Sequence, residues 1–320
     1  VSTRHLVDPE LLDALDAFPP MQFSPELLPA LREDMKAMFA STGPAPADVM
    51  RTEKRIPGAP GDPDVRVLIY TPAKAETSRP ALLNIHGGGY VIGAADMNDD
   101  RNYNFVQELG CVVVSVDYRL APETAHPGPV EDCYAALKWL HGHAAELGID
   151  TGRIAIGGES AGGGLTAGLA LLARDRGEVP VAFQLLLYPM IDDRTESHPH
   201  AGEFVWTSGH NRFGWASLLG RPPGGGDVSP YAAAARAADL AGLPPSFICV
   251  GALDLFVEEN LEYARRLMRA GVPTELHVYP GVFHGFERAP EARVTRAAQR
   301  DYIEALRQAF RRPAVARAAA

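Results

Sequence analysis

Two hydrophobic periods alternate along this chain. Short, nearly continuous apolar runs at 81–86, 111–116, 153–157, 182–188 and 246–250 predict strands buried on both faces. Segments 51–57 and 65–71 predict a strand pair joined by the turn-rich run 58–64, and 275–279 predicts a last strand. Between the strands, apolar positions recur at helical spacing over 102–109, 130–147, 165–176, 257–270 and 290–310. Residues 9–42 predict two helices, with prolines at 9 and 25 near first turns and Ser24 as an N-cap. The second carries the stripe Leu27, Leu28, Leu31, Met35, Met38 and Phe39, read as packing surface. A proline- and alanine-rich link at 43–48 follows, and the alanine-rich 311–320 is expected to fray.

About eight strands, mostly separated by helices, imply a doubly wound, mainly parallel α/β sheet. Segment 193–230 breaks the rhythm. It carries Phe204, Trp206, Phe213, Trp215 and Leu218 among His, Gly and Pro, with no strand of its own. Ligands in such sheets bind beyond the carboxyl ends of the strands, so an insertion there would cover the site.

Composition narrows the function. With 320 residues and 46% hydrophobic content, the chain can build one sizeable core and an accessory layer. A net charge of −10 argues against nucleic acid and anionic membrane surfaces as partners. No apolar run approaches the roughly 18 residues that span a bilayer, and the first residues lack a signal-peptide pattern, so a cytoplasmic protein is expected. Cys111, Cys133 and Cys249 are widely spaced and read as buried free thiols.

The stretch from Ile154 to Gly164 joins a β-branched apolar run to a glycine cluster and then to good helix formers. That context gives Gly158-x-Ser160-x-Gly162 its meaning. Ser160 is expected at the apex of a tight, strained strand-to-helix turn, with glycines where side chains would collide with strand and helix. A serine nucleophile needs a base, and the base an orienting carboxylate. Asp254 and His284 each follow a predicted strand and complete the order Ser, Asp, His. Asp254 could instead cap the helix near 257, and Asp192, Asp193, Glu258 and Glu259 compete for its role. His284 could be a packed core histidine. His277 alternates with strand apolars and reads as structural. His198, His200 and His210 match no strong metal spacing, so no metal is expected. His86-Gly-Gly-Gly89 follows a strand, where N–H groups unshielded by side chains can face an oxyanion. A phosphate cradle is disfavoured there, because no Gly-Lys-Ser/Thr occurs and no helix starts at once. Gly88, Gly89 and Ala161 are the candidate donors.

These residues, with Asp117-Tyr-Arg-Leu-Ala-Pro-Glu123, Ser229-Pro-Tyr231 and Asp239-Leu-Ala-Gly-Leu-Pro-Pro245, resemble bacterial hormone-sensitive-lipase-like esterases of the α/β-hydrolase superfamily, and heroin-esterase-type members in particular. The resemblance covers nearly the whole chain. It implies a carboxylesterase with an eight-stranded α/β-hydrolase fold, a helical cap from 1–48 and 193–228 over a catalytic domain of 49–192 and 229–320, frequent homodimers and no cofactor. It also assigns the oxyanion donors to Gly88, Gly89 and Ala161. Two departures stand out. The family's proline after the acid is missing in Asp254-Leu-Phe-Val-Glu-Glu259, and Glu159 replaces the commoner Asp before the serine, a change expected to leave the serine geometry alone. Short to medium acyl chains are expected, with Phe23, Tyr90, Phe204, Trp206, Phe213 and Trp215 shaping an apolar pocket. The same triad would also serve an amidase, arylamidase or lactonase. A non-catalytic ligand receptor is the remaining alternative; receptors of this fold have lost the histidine, and the presence of Ser160, Asp254 and His284 together argues against it here.

Overall fold

The computed structural model describes residues 2–39, 44–74 and 76–311. The expected end of the second helix at 40–42, the first residue of the 43–48 link and the tail beyond Arg311 therefore lie outside the described residues.

Eight strands form one sheet: β1 (Val49–Ile56), β2 (Val65–Pro72), β3 (Arg79–Ile85), β4 (Val112–Asp117), β5 (Ile149–Glu159), β6 (Phe183–Leu187), β7 (Ser246–Gly251) and β8 (Thr274–Tyr279). Their spatial order is β1-β2-β4-β3-β5-β6-β7-β8, with β2 antiparallel to both its neighbours and every other pair parallel. The helices are α1 (Leu12–Asp16), α2 (Leu28–Phe39), α3 (Asp99–Leu109), α4 (Gly128–Gly142), α5 (Ala161–Arg176), α6 (Ser208–Leu219), α7 (Val257–Arg269) and α8 (Arg293–Arg311).

The pleat explains why the strand runs are mostly apolar, interrupted by buried Asn84, Ser115, Gln184 and Ser246, each of which is hydrogen-bonded. Successive side chains point to opposite faces. Leu83, Ile85, Val112, Val114, Ile154, Ile156, Leu186 and Ile248 enter one core layer, against α4, α5 and α7. Leu82, Val113, Ala155, Leu185, Leu187 and Phe247 enter the other, against α3 and α8. With helices on both faces, both sets are mainly apolar.

Boundaries differ from expectation where local chemistry intervenes. The helix expected over 130–147 is α4, which starts two residues earlier, where Pro129 suits the first turn, and stops at Gly142. There the His143 ring nitrogen lies 2.9 Å from the Trp139 carbonyl and its backbone N–H donates to the same oxygen, closing the helix end. Ser24 accepts from the Leu27 N–H at 3.3 Å, in a turn that precedes α2.

Candidate active site

β3, β5, β7 and β8 run the same way, so the loops that follow them emerge on one edge of the sheet. Ser160 directly follows β5, Asp254 lies three residues past β7, His284 five past β8, and His86–Gly89 follows β3. The sequence-predicted chemistry is thereby gathered at one place.

Ser160 has φ +54° and ψ −122°, a conformation that costs a non-glycine residue of order 1–3 kcal/mol and persists only when its surroundings fix it. They do. Its N–H donates to the Leu187 carbonyl, and its own carbonyl accepts from Gly164 and Met190, each at 2.9 Å. The flanking glycines are required by crowding, since a Cβ at Gly162 would meet the Ile85 carbonyl oxygen at 2.1 Å and one at Gly158 the same oxygen at 2.6 Å.

The His284 ring stands between the other two groups. Its Nδ1 lies 2.8 Å from Asp254 Oδ2 and its Nε2 lies 2.9 Å from Ser160 Oγ. An ionised carboxylate only accepts, so the ring proton sits on Nδ1 and the Nε2 lone pair faces the serine hydroxyl. All three side chains are buried, at 5% exposure for Ser160, 1% for Asp254 and 6% for His284. Asp254 does not cap α7, whose N-cap is Phe256; its Oδ1 instead accepts from the Phe256 N–H at 3.0 Å, within the turn just ahead of the helix. That bond, with Leu253 N–H to the Val282 carbonyl and buried Leu255 and Phe256, holds a loop that lacks the stiffening proline.

The rival carboxylates are occupied elsewhere. Asp192 pairs with Arg194, and Asp193 takes the Arg236 guanidinium and the Gly224 N–H. Glu258 is exposed. Glu259 is buried and accepts from the N–H groups of Ile191 and Asp192 and from the Thr195 hydroxyl. Burial pushes its carboxyl well above the ordinary range, against those donors. His277 stacks on Phe247 and bonds Glu275, and among the described residues no cluster of His, Cys, Asp or Glu is arranged to hold a metal ion. All three cysteines are free and buried, and desolvation pushes the Cys111 thiol up to about 12.

On the oxyanion side, Gly88 and Gly89 have φ of +109° and +59°. Among the described residues, the N–H groups of Gly88, Gly89 and Ala161 donate to no protein acceptor. Gly87 differs, donating to Glu159 Oε1 at 2.8 Å. That carboxylate also takes Asn98 Nδ2 and Arg101, so Glu159 ties the serine turn to the glycine loop, a function its sequence position did not reveal.

The predicted pocket residues divide. Phe23 touches Trp206, His210 and Phe213, with ring centroids 5.1 to 5.6 Å apart, and Trp206 lies 6.2 Å from the His284 ring. The His210 ring is wedged between the Met21 and Val205 carbonyls, 3.1 Å from each, and burial lowers its pKa. Phe204 packs on Phe283 instead. Tyr90 and Trp215 pack on each other inside the core, fully enclosed, with the Tyr90 hydroxyl donating to the Met190 carbonyl. His210 carries no pattern that marks it as a link between two distant segments.

Comparison with known proteins places this geometry among relatives. A family described as the α/β-hydrolase fold matches residues 82–288. The chain is 37% identical over 287 residues to carboxylesterase NlhH of Mycobacterium tuberculosis, covering 88% of each. Among solved structures, a bacterial heroin esterase superposes with a TM-score of 0.92 at 43% identity, over 97% of this chain and all of that one. Esterase LipW from Mycobacterium marinum does so with a TM-score of 0.86 at 36% identity, over 97% and 98%. No described helix is long and apolar enough to cross a membrane.

Proposed function

The chain belongs to the hormone-sensitive-lipase-like carboxylesterases of the α/β-hydrolase fold, and from that premise we propose that Ser160, His284 and Asp254 hydrolyse short- to medium-chain carboxylic esters through an acyl-enzyme. The observation that carries this reading is the His284 ring held within 3 Å of both the Ser160 hydroxyl and the Asp254 carboxylate.

Ser160 Oγ attacks the ester carbonyl carbon while His284 Nε2 takes the hydroxyl proton. The N–H groups of Gly88, Gly89 and Ala161 receive the oxyanion, a contribution worth about 10²–10³ in turnover per donor in comparable sites. The bond to the alcohol oxygen then breaks, Nε2 returns the proton to that oxygen, and the alcohol leaves. Water repeats the sequence on the acyl-enzyme, giving the acid and restoring Ser160. Asp254 holds the Nδ1 tautomer and stabilises the imidazolium formed in each half.

Residues 1–48 and 193–228 act in this reading as the cap, and the Phe23–Trp206–Phe213 cluster as the apolar wall that the acyl or alcohol group meets. The strained serine, the buried triad and the aromatic cover over it support a compact site suited to short chains. We further propose a homodimer. It is supported by the family resemblance and by β8, which ends the sheet with an edge able to meet a second copy.

The test is release of p-nitrophenol from acetate, butyrate, octanoate and palmitate esters, by wild type and Ser160→Ala, with a chelator present. Turnover of the short esters that falls by several orders of magnitude in the variant is the expected result. Undiminished turnover by Ser160→Ala would remove the serine from the mechanism.

A further inference from the structure

Behind the triad lies a chain of buried and half-buried polar groups that the mechanism does not use. It starts at Glu159, whose Oε1 accepts from the Gly87 N–H at 2.8 Å and from Asn98 Nδ2 at 2.9 Å. Its Oε2 accepts from the Arg101 guanidinium at 3.0 Å. The other end of the same guanidinium reaches Glu287 Oε1 at 3.6 Å. Glu287 in turn receives the Tyr188 hydroxyl, 2.8 Å from both of its oxygens. Tyr188 follows β6 at a positive φ of +36°, and its ring meets the His284 ring edge-on at 4.9 Å. Glu287 itself lies three residues past His284.

One arginine from α3 thus joins the two loops whose relative placement sets the reaction geometry. On one side is the glycine loop with the serine turn, on the other the loop that carries the histidine. We propose that Arg101 is a positioning residue for the esterase reaction, holding the Glu159 and Glu287 carboxylates together so that the oxyanion donors and the His284 ring keep their spacing around the substrate carbonyl. This rests on the triad reading given above.

The electrostatics agree with the geometry. Arg101 and Glu287 expose only 16% and 14% of their side chains, so each charge needs a partner close by. Burial works against the Arg101 charge, and Glu159, Tyr188 and Glu287 more than offset it, keeping the guanidinium cationic. Burial raises the Glu287 carboxyl, opposed by Arg101 and the Tyr188 hydroxyl. The other titratable groups facing this cluster are Tyr302 from α8, Cys249 from β7, His86 from the glycine loop and His284 itself. Tyr302 and Cys249 are held in their neutral forms by burial. Without Arg101, two carboxylates would face each other across the site with no cation between them. Their repulsion grows with pH as Glu287 loses its proton, and it drives the loops apart.

The experiment compares wild type, Arg101→Met, Arg101→Lys and Arg101→Met/Glu287→Gln in kcat and KM for p-nitrophenyl butyrate from pH 6 to 9, with Ser160→Ala as a control on the triad. Arg101→Met is expected to lose at least tenfold in kcat with KM within about twofold, because the loops act on the transition state more than on binding. The loss should deepen as pH rises. Adding Glu287→Gln removes the like charge and should return part of kcat and flatten the pH dependence of the loss. Arg101→Lys, which keeps the charge but reaches one carboxylate at a time, should fall between. A pH-independent loss, or no recovery on adding Glu287→Gln, would reduce Arg101 to a packing role and overturn the proposal. If Arg101→Met does not fold, the lysine variant decides: wild-type kcat across the range would show that the two-carboxylate bridge is dispensable. A Ser160→Ala control that retains activity would point instead to a failure of the triad reading.

Discussion

Trp206 lies against Gly89 so closely that a single methyl group would not fit between them. A Cβ on Gly89 would stand 2.1 Å from the Cη2 atom of the indole, and the glycine holds φ +59° in the left-handed region. The aromatic cluster beside the candidate triad and the glycine loop proposed to receive the oxyanion are therefore in direct contact. Gly89→Ala should lower kcat by at least tenfold, through displacement of the loop and a left-handed strain of about 1–2 kcal/mol. Adding Trp206→Ala should recover the steric part and leave the strain. Steady-state kinetics on the single and double variants, treated as a cycle, check this; additive losses would show that the two residues do not press on each other.

The indole also faces the His284 ring, 6.2 Å away, with Phe23 and Phe213 beyond it. Removing it enlarges the apolar wall. Trp206→Ala is expected to shift the preferred ester from the short end of the acetate-to-palmitate series toward octanoate or longer. The ratio of kcat/KM for octanoate to that for acetate is the readout, and an unchanged ratio would place the acyl group elsewhere.

Asp254→Asn separates orientation from folding. The amide oxygen can still accept from the Phe256 N–H, so the loop should keep its shape and Tm should stay within a few degrees of wild type. The amide nitrogen, however, would face Nδ1 as a donor and favour the wrong tautomer of His284. A loss of about 10⁴ in kcat is expected by analogy with other triads. A loss under tenfold would mean that another group orients the ring.

Glu259 gives the molecule a pH signature in stability. Its folded-state carboxyl is raised by burial, so the folded chain holds a proton that the unfolded chain has released above the ordinary Glu range. Its contribution is present below that range and is lost as pH rises toward the folded value. Glutamine can replace the protonated form, accepting from Ile191 N–H and donating to the Thr195 hydroxyl. The Tm of Glu259→Gln relative to wild type should therefore rise between pH 5 and pH 8. A difference that stays flat would mean that Glu259 is ionised in the folded chain.

The fold was legible because both layers of the core demand apolar strands, and helices such as α8 bury one stripe. The candidate triad was legible for a topological reason: a residue just past a parallel strand has only one edge of the sheet to occupy. The contacts between loops leave no mark in the sequence. In sequence Glu159 is a neutral exchange for Asp, yet its carboxylate reaches the Gly87 N–H. Arg101 and Glu287 are far apart in sequence and carry no spacing rule, and the spacing of His210 speaks only against a metal site. The α4 end was misplaced because Leu147 continues an apolar pattern beyond the point where His143 closes the helix.

The aromatic cover is built from segments distant in the chain, since His210 meets the carbonyl of Met21 across 189 positions. During synthesis at the ribosome, residues around 21 emerge early and have no roof to join until residues 204–213 have followed. Contacts of such long sequence separation form late, after the loop between them has closed. The proposed apolar wall is thus expected to be completed late in folding. A nascent chain whose sheet is already taking shape would expose the Phe23 and Trp206 surfaces until the two segments meet.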